Sequence, residues 1–195
     1  MGKITWKPGT MIYPLPAVMV SCGDSVENYN IMTVAWTGTI CTNPPMCYIS
    51  LRPERLSHEL ISRTREFAIN LTNADLAYAT DWCGVKSGRE VNKFEAMKLT
   101  PLKAEIIKAP LIAESPVNIE CRVKDILPLG SHDMFIAEIV AVHADDQYFD
   151  PQTGVFNLSQ AHLISYSHGK YYVLGNEIGR FGFSVKKRKR NKKNY

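Results

Sequence analysis

The chain has 195 residues, 45% of them apolar, a length that suits one well-packed domain with at most a small excursion rather than two. Its formal charge of +4 misleads, because seven of the 23 Lys and Arg residues lie between Lys186 and Lys193. Without them 16 basic residues face 19 acidic ones, which argues against a basic domain that coats nucleic acid, and no run of eighteen apolar residues offers a membrane-spanning helix. The expected organisation is a domain over residues 1–185 followed by a solvated basic tail over residues 186–195.

In chain order, the apolar run from Met11 to Val20 is broken by Pro14 and Pro16, so it lacks the unbroken core and small-residue cleavage site of a signal peptide. Trp6 stands where a myristoylation signal needs Ser or Thr, and a cytoplasmic protein is expected. Residues 14–21 read as an entry strand with its prolines at the beginning. Asn30 to Ile40 is rich enough in β-branched and aromatic residues for a second strand, broken near Gly38. Asn43-Pro44-Pro45 is a turn, and Met46 to Leu51 is a third strand. After Pro53, Leu56, Leu60 and Ile61 recur at helical spacing, which predicts a helix from Pro53 to about Thr64.

Phe67 to Leu71 returns to strand, and Asn73 caps a short helix that Gly84 is expected to end. Ser87 and Glu90 have capping-box spacing ahead of a helix over Val91 to Met97. Val117, Ile119, Cys121 and Val123 alternate with polar residues, the period of a half-buried antiparallel strand, and Met134 to Val142 is its return. Strands with helices confined to the middle of the chain predict a mainly β, barrel-like sheet with inserted short helices. The five cysteines, Cys22, Cys41, Cys47, Cys83 and Cys121, form no CxxC pair, so free thiols are expected rather than a disulfide framework or a zinc site.

Motifs exclude several chemistries. No GxGxxG follows a strand, there is no GxxxxGK[ST], and HExxH is missing, so neither a Rossmann site, a P-loop nor a metallohydrolase centre is indicated, and no metal is expected. The stretch from Asn30 to Ser57 is different. It sets two strand edges beside a helix start carrying Arg52, Arg55 and Ser57, where free amides, a positive dipole end, a guanidinium fork and a hydroxyl suit a monophosphate. By spacing alone, first-turn arginines that are simply solvated remain the alternative.

The strings Asn30-Ile31-Met32-Thr33-Val34-Ala35-Trp36, Ile49-Ser50-Leu51-Arg52, Ser57-His58-Glu59-Leu60-Ile61 and Phe67-Ala68-Ile69-Asn70-Leu71 resemble the flavin reductase-like family of split-barrel FMN proteins, which includes the flavoredoxins. Ser87-Gly88-Arg89-Glu90-Val91-Asn92-Lys93-Phe94 and the carboxyl-terminal Tyr171-Tyr172-Val173-Leu174-Gly175 extend the resemblance over roughly residues 11–187. It implies a Greek-key split β-barrel that dimerises and binds FMN. Asn30, Thr33, Ala35, Trp36 and Thr37 then match the strand and turn approaching the flavin, and Ser50, Leu51 and Arg52 match a second lining strand. Arg52 and Ser57 match the phosphate contacts, with Lys86, Ser87 and Lys93 as further cofactor-binding candidates. No residue is assigned a catalytic acid or base. The resemblance implies an oxidoreductase that takes hydride from NADH or NADPH and passes electrons to free flavin or a redox protein partner. The alternatives are a non-enzymatic flavoredoxin-type carrier and, through the basic tail, an FMN-dependent transcriptional or structural protein.

Overall fold

Seven antiparallel strands make the body of the protein, in the order β3-β2-β6-β9-β10-β5-β4. They are β2 (Val18–Cys22), β3 (Asn30–Val34), β4 (Thr37–Cys41), β5 (Met46–Leu51), β6 (Glu66–Leu71), β9 (Val117–Pro128) and β10 (Asp133–Ala144). The two ends of this sheet, β3 and β4, are consecutive in sequence and joined by only Ala35 and Trp36. The sheet must therefore curl round on itself, yet β3 and β4 do not pair, and the barrel stays split there. The amide of Ser50 on β5 donates to the carbonyl of Trp36 at 2.9 Å and holds the link against the sheet. The computed structural model describes residues 1–185, so the basic tail 186–195 lies outside the described residues.

Alternation decides which face each side chain meets. Val18, Val20 and Cys22 point into the barrel with Ile49, Leu51, Phe67, Cys121 and Phe135, and helix α1 (Leu56–Thr64) adds Leu60 and Ile61 to the same cluster. Met19 and Ile31 point the other way, against helix α2 (Ala77–Val85) through Ala79 and Cys83 and against α3 (Lys93–Ala96) through Phe94. Both faces of β2 are thus covered, which is why its sequence runs Val-Met-Val-Ser-Cys with little polar alternation. A smaller three-stranded sheet of β1 (Leu15–Pro16), β11 (Ile164–Ser167) and β12 (Lys170–Val173) lies beside the barrel, and β7 (Pro101–Leu102) pairs with β8 (Leu111–Ile112).

Buried polar groups pin the outer layer. Asn70 Nδ2 donates to Met19 O (3.0 Å) and Ser21 Oγ (2.9 Å), while its Oδ1 accepts from Ile112 N (3.0 Å) and Asn118 Nδ2 (2.8 Å). The buried carboxylate of Glu120 accepts the amides of Glu105, Ile106 and Ile107 at 2.8 to 2.9 Å and lies 2.6 Å from His143 Nε2. All five cysteines are free thiols. Cys47 Sγ and Cys121 Sγ approach to 3.6 Å, but β10 runs between their strands. Two strand spacings separate the backbones by roughly 9–10 Å, beyond the span of a disulfide.

Four local expectations shift. The strand from Asn30 breaks at Ala35-Trp36, not at Gly38; a Cβ at Gly38 would stand 3.2 Å from the Tyr48 ring, so this glycine serves close approach instead. Helix α1 begins at Leu56, because Arg55 has an extended ψ of 138° and the preceding residues close a turn from Arg55 N to Arg52 O at 3.1 Å. Gly84 lies inside α2, where a Cβ would meet Thr33 at 3.1 Å. Ser87 does not cap a helix: its Oγ accepts the nearby Arg89 amide, and α3 is capped by Asn92, whose Oδ1 accepts from Phe94 N and Glu95 N.

Candidate functional site

The split in the barrel opens into a cleft with two joined chambers, of about 410 Å³ and about 320 Å³, which share Met32, Arg55 and Gly84 as common walls. The larger chamber lies between the two sides of the split. Thr33, Val34, Ala35 and Trp36 line it from the end of β3, and Ser50, Leu51 and Arg52 from the end of β5. Since β3 has no strand partner on its outer side among the described residues, its main-chain N–H and C=O groups there can meet a ligand. The Trp36 ring stands 4.4 Å from the His132 ring, centre to centre, and this side chain also borders a hollow formed with Met11, Ile12 and Tyr48. Burial pushes the His132 imidazole below its ordinary pKa and neighbouring Arg52 lowers it further, with Glu54 opposing both.

Side chains, not strand edges, make the smaller chamber. Ser57 and Asn30 are buried, and Asn30 Nδ2 donates to Ser57 Oγ at 2.8 Å. Asn30 can sit there only because residue 88 is glycine: a Cβ at Gly88 would fall 2.1 Å from Asn30 Oδ1. Lys93 is 3% exposed, donates to the carbonyl of Cys83 at 2.7 Å, and retains two further N–H donors toward the chamber it lines. Burial pushes its amine below the ordinary lysine pKa; Cys83 and Cys22 oppose that and Arg55 adds to it. Lys86, Ser87 and Arg55 complete a wall of cations and hydroxyls in which, among the described residues, Glu54 is the one lining carboxylate. The start of α1 faces the same space, with Leu56 and Ser57 among its lining residues.

Eleven of the twelve residues singled out in the sequence thus line one chamber or the other: Thr33, Ala35, Trp36, Ser50, Leu51 and Arg52 the larger, and Asn30, Ser57, Lys86, Ser87 and Lys93 the smaller. Thr37 stands apart. It is buried between β4 and β5, its hydroxyl donating to Tyr48 O at 2.7 Å. Arg52 and Ser57 are parted by the shared wall, and Arg55 is the guanidinium that borders both chambers. The Thr33 hydroxyl donates to Thr80 O, which ties β3 to α2. His58 turns away from the cleft, 2.8 Å from Asp133 Oδ2 and edge-on to Phe135. Cys83 lines the smaller chamber, but burial pushes its thiol up to about 11 and that of Cys22 up to about 12, so both are protonated and poor nucleophiles at neutral pH.

Sequence reasoning missed Asp81, His132, Tyr166 and Tyr171, which also line the larger chamber. They arrive from α2, from the turn before β10 and from the β11–β12 hairpin, so no local spacing connects them with Trp36. No helix among the described residues is long and apolar enough to cross a membrane.

Comparison with known proteins agrees with this architecture. The model of the flavin reductase like domain matches residues 10–175. The flavoredoxin of Desulfovibrio vulgaris (Miyazaki F) superimposes with a TM-score of 0.87 at 27% identity, covering 95% of this chain and 100% of that one. The flavoredoxin of Methanosarcina acetivorans gives 0.85 at 25% identity with the same coverage. A protein of Archaeoglobus fulgidus is 29% identical over 162 residues, 83% of this chain and 89% of its own. The split between β3 and β4, the helices inserted after β5 and β6, and the match over residues 10–175 place this chain in the flavin reductase-like family of split-barrel proteins, to which the flavoredoxins belong.

Proposed function

We propose that this protein binds FMN in the two-chambered cleft and works as an NAD(P)H-dependent oxidoreductase of flavin reductase type. The joining of the chambers carries the reading. One is a space between strand edges with an aromatic wall, and the other is a cradle of cations and hydroxyls in which Lys93 and Ser57 are buried. A planar ring bearing a phosphate monoester needs both, at this adjacency. The residues present fit that group: Lys93, Arg55, Ser57 and Ser87 supply donors for a dianion, and Gly88 leaves the space that a side chain would fill.

When bound, FMN would supply the hydride and electron chemistry that no protein side chain provides. The chain binds and orients the ring between Trp36 and the ends of β3 and β5, and offers main-chain donors along the free edge of β3. Arg52 and Arg55 bring positive charge to the larger chamber, which favours an electron-rich ligand. His132, with its pKa depressed, leaves that charge to the arginines near neutral pH. NADH or NADPH is the proposed donor, and free flavin or a redox protein the acceptor.

A second reading, a flavoredoxin-type carrier reduced by a protein partner, is favoured by the coverage and TM-scores of the two flavoredoxins. One experiment separates the two. The absorbance spectrum of the freshly purified protein tests for FMN, and anaerobic addition of each nicotinamide then tests turnover. Bleaching faster than in a free-FMN control supports the enzyme; bound flavin reduced only by a protein donor supports the carrier. We further propose a homodimer, in which a second copy covers the exposed Ile4, Trp6, Met11 and Ile12 of the amino-terminal stretch. A cofactor-loaded monomer in sedimentation at micromolar concentration overturns the dimer.

A further inference from the structure

The outer wall of the larger chamber is built by a hairpin far from the rest of the site in sequence. Strands β11 and β12 pair antiparallel, with Tyr166 opposite Tyr171, and their tip turns through His168 and Gly169, both at positive φ (50° and 83°). The base of the hairpin is anchored to the body: Tyr166 pairs with Leu15 of β1, and the Ile164 amide donates to Thr72 O at 3.0 Å. The tip is steadied by His168, whose ring lies 5.8 Å from that of Tyr13 at an interplanar angle of 12°. Tyr171 itself is on the outer strand, which among the described residues has no strand partner but β11.

Two contacts fix the Tyr171 ring. Its centre is 5.6 Å from that of Tyr166 at 61°, an edge-on pair, and its hydroxyl donates to Asp81 Oδ1 on α2 at 3.2 Å. Burial, then the neighbouring Asp81, push the phenol up to about 12, so the donor keeps its proton across the physiological range. Among the described residues this is the one side-chain hydrogen bond between the hairpin and α2. The chamber it closes is about 410 Å³, near the lower end of ordinary ligand cavities of about 300–1,000 Å³. A tricyclic ring leaves part of that space for a second planar molecule, which would share it with Tyr166 and Tyr171 of the hairpin.

We propose that Tyr171, held against α2 by Asp81, is the specificity-determining wall of the electron-exchange chamber, admitting planar single-ring molecules and refusing three-ring ones. Tyr171 sets the width directly, and Asp81 is a positioning residue that acts through it. This rests on the FMN reading above. A bulky aromatic wall discriminates by shape, for which differences of roughly 10-fold to 200-fold are usual when a pocket is built of apolar surface.

The test uses the full chain loaded with FMN and photoreduced anaerobically, which needs no nicotinamide. Three neutral probes of rising width, benzoquinone, naphthoquinone and phenanthrenequinone, are mixed with it and flavin reoxidation is followed by stopped flow. In each case two electrons and two protons pass from reduced FMN to the quinone, giving oxidised FMN and the hydroquinone. Rates are divided by those of free reduced FMN with the same quinone. The expected result is a selectivity for the one-ring over the three-ring probe about tenfold beyond that of free FMN, which Tyr171→Ala lowers at least about fivefold. Tyr171→Phe and Asp81→Ala, which keep the fold but remove the hydrogen bond, should each lower it about twofold to threefold, and Asp81→Asn, which keeps an acceptor oxygen, should retain it. FMN affinity is measured for each variant, and the rates are compared with FMN bound to saturation, so that any loosening of the ring is separated from the selectivity.

An unaltered selectivity in Tyr171→Ala with FMN still bound overturns the proposal. If that variant does not fold, unaltered selectivity in both Tyr171→Phe and Asp81→Ala overturns it equally. A wild-type selectivity no greater than that of free FMN does the same while leaving the FMN reading in place. Failure of the wild-type chain to bind FMN overturns that reading and this inference together, so the two failures are told apart at the first step.

Discussion

The larger and smaller chambers share three wall residues and yet are built in different ways. The larger is a gap between strand ends, where the backbone of β3 and β5 and the rings of Trp36, Tyr166 and Tyr171 give shape. The smaller is assembled from side chains whose chemistry is specific: an amide, two hydroxyls, a buried amine and a guanidinium. Shape tolerates change in residue identity, whereas charge-assisted contacts do not. Substitutions in the smaller chamber should therefore separate FMN from riboflavin, and substitutions in the larger should not.

The largest effect is expected at the point where the smaller chamber depends on the absence of a side chain. Gly88→Val places atoms on Asn30 Oδ1, forcing Asn30 away from Ser57 and breaking their 2.8 Å contact. Overpacking of this kind costs about 1–3 kcal/mol. With the cradle displaced, FMN should bind roughly 100-fold more weakly, combining that strain with the lost charge-assisted contacts. Titration of flavin fluorescence checks this. Retention of wild-type affinity would show that the loop at Gly88 moves aside freely.

Next in size is Lys93→Met, which keeps length and removes the charge. A hydrogen bond to a charged group contributes about 1.5–3 kcal/mol, so FMN affinity should fall about 10-fold to 150-fold while riboflavin is held almost as before. Arg55→Ala should act in the same direction through the guanidinium that borders both chambers. Equal weakening of the two ligands would place the phosphate elsewhere. By contrast Trp36→Ala, which removes an aromatic wall, should weaken FMN and riboflavin alike, by about 0.5–1.5 kcal/mol beyond the lost burial.

The same difference explains what could be read in the sequence. Strand periods fixed most of the barrel, and in the smaller chamber Ser57 and Ser87 stood out by their places at expected helix starts, whereas Lys86 and Lys93 came only with the family resemblance. Glycines were harder. Gly38 reads as a strand break but makes room for Tyr48, and the break itself falls at Ala35-Trp36, where nothing in residue type announces it. Capping was ambiguous for a similar reason: Ser87 and Asn92 are both good caps, and Ser87 finds a nearer partner in the Arg89 amide. The outer wall was illegible because pairing of β11 with β1 brings Tyr166 and Tyr171 across about 150 residues of chain.

A region outside the cleft provides the control for all of these. The carboxylate of Glu120 is buried on β9, and burial alone would raise its pKa; the amides of Glu105, Ile106 and Ile107 and the ring of His143 reverse this and hold it below the ordinary value. A carboxyl whose folded pKa is depressed contributes stability that is fully present above the unfolded pKa, near 4.3 for glutamate, and is lost as pH falls through the folded value. The midpoint of urea unfolding should hold from pH 7 to about 5 and then decline below about 4, with part of the decline belonging to this site. Glu120→Gln keeps one acceptor oxygen but turns an amide donor toward backbone N–H groups, which should cost about 1–3 kcal/mol at pH 7 and flatten the acid decline. Because the segment it anchors lies away from both chambers, FMN affinity at pH 7 should stay within about twofold of wild type, the smallest change in the series. A loss of FMN binding in this variant would show that the outer layer and the cleft are coupled, and that the contrast between the chambers is not a property of their walls alone.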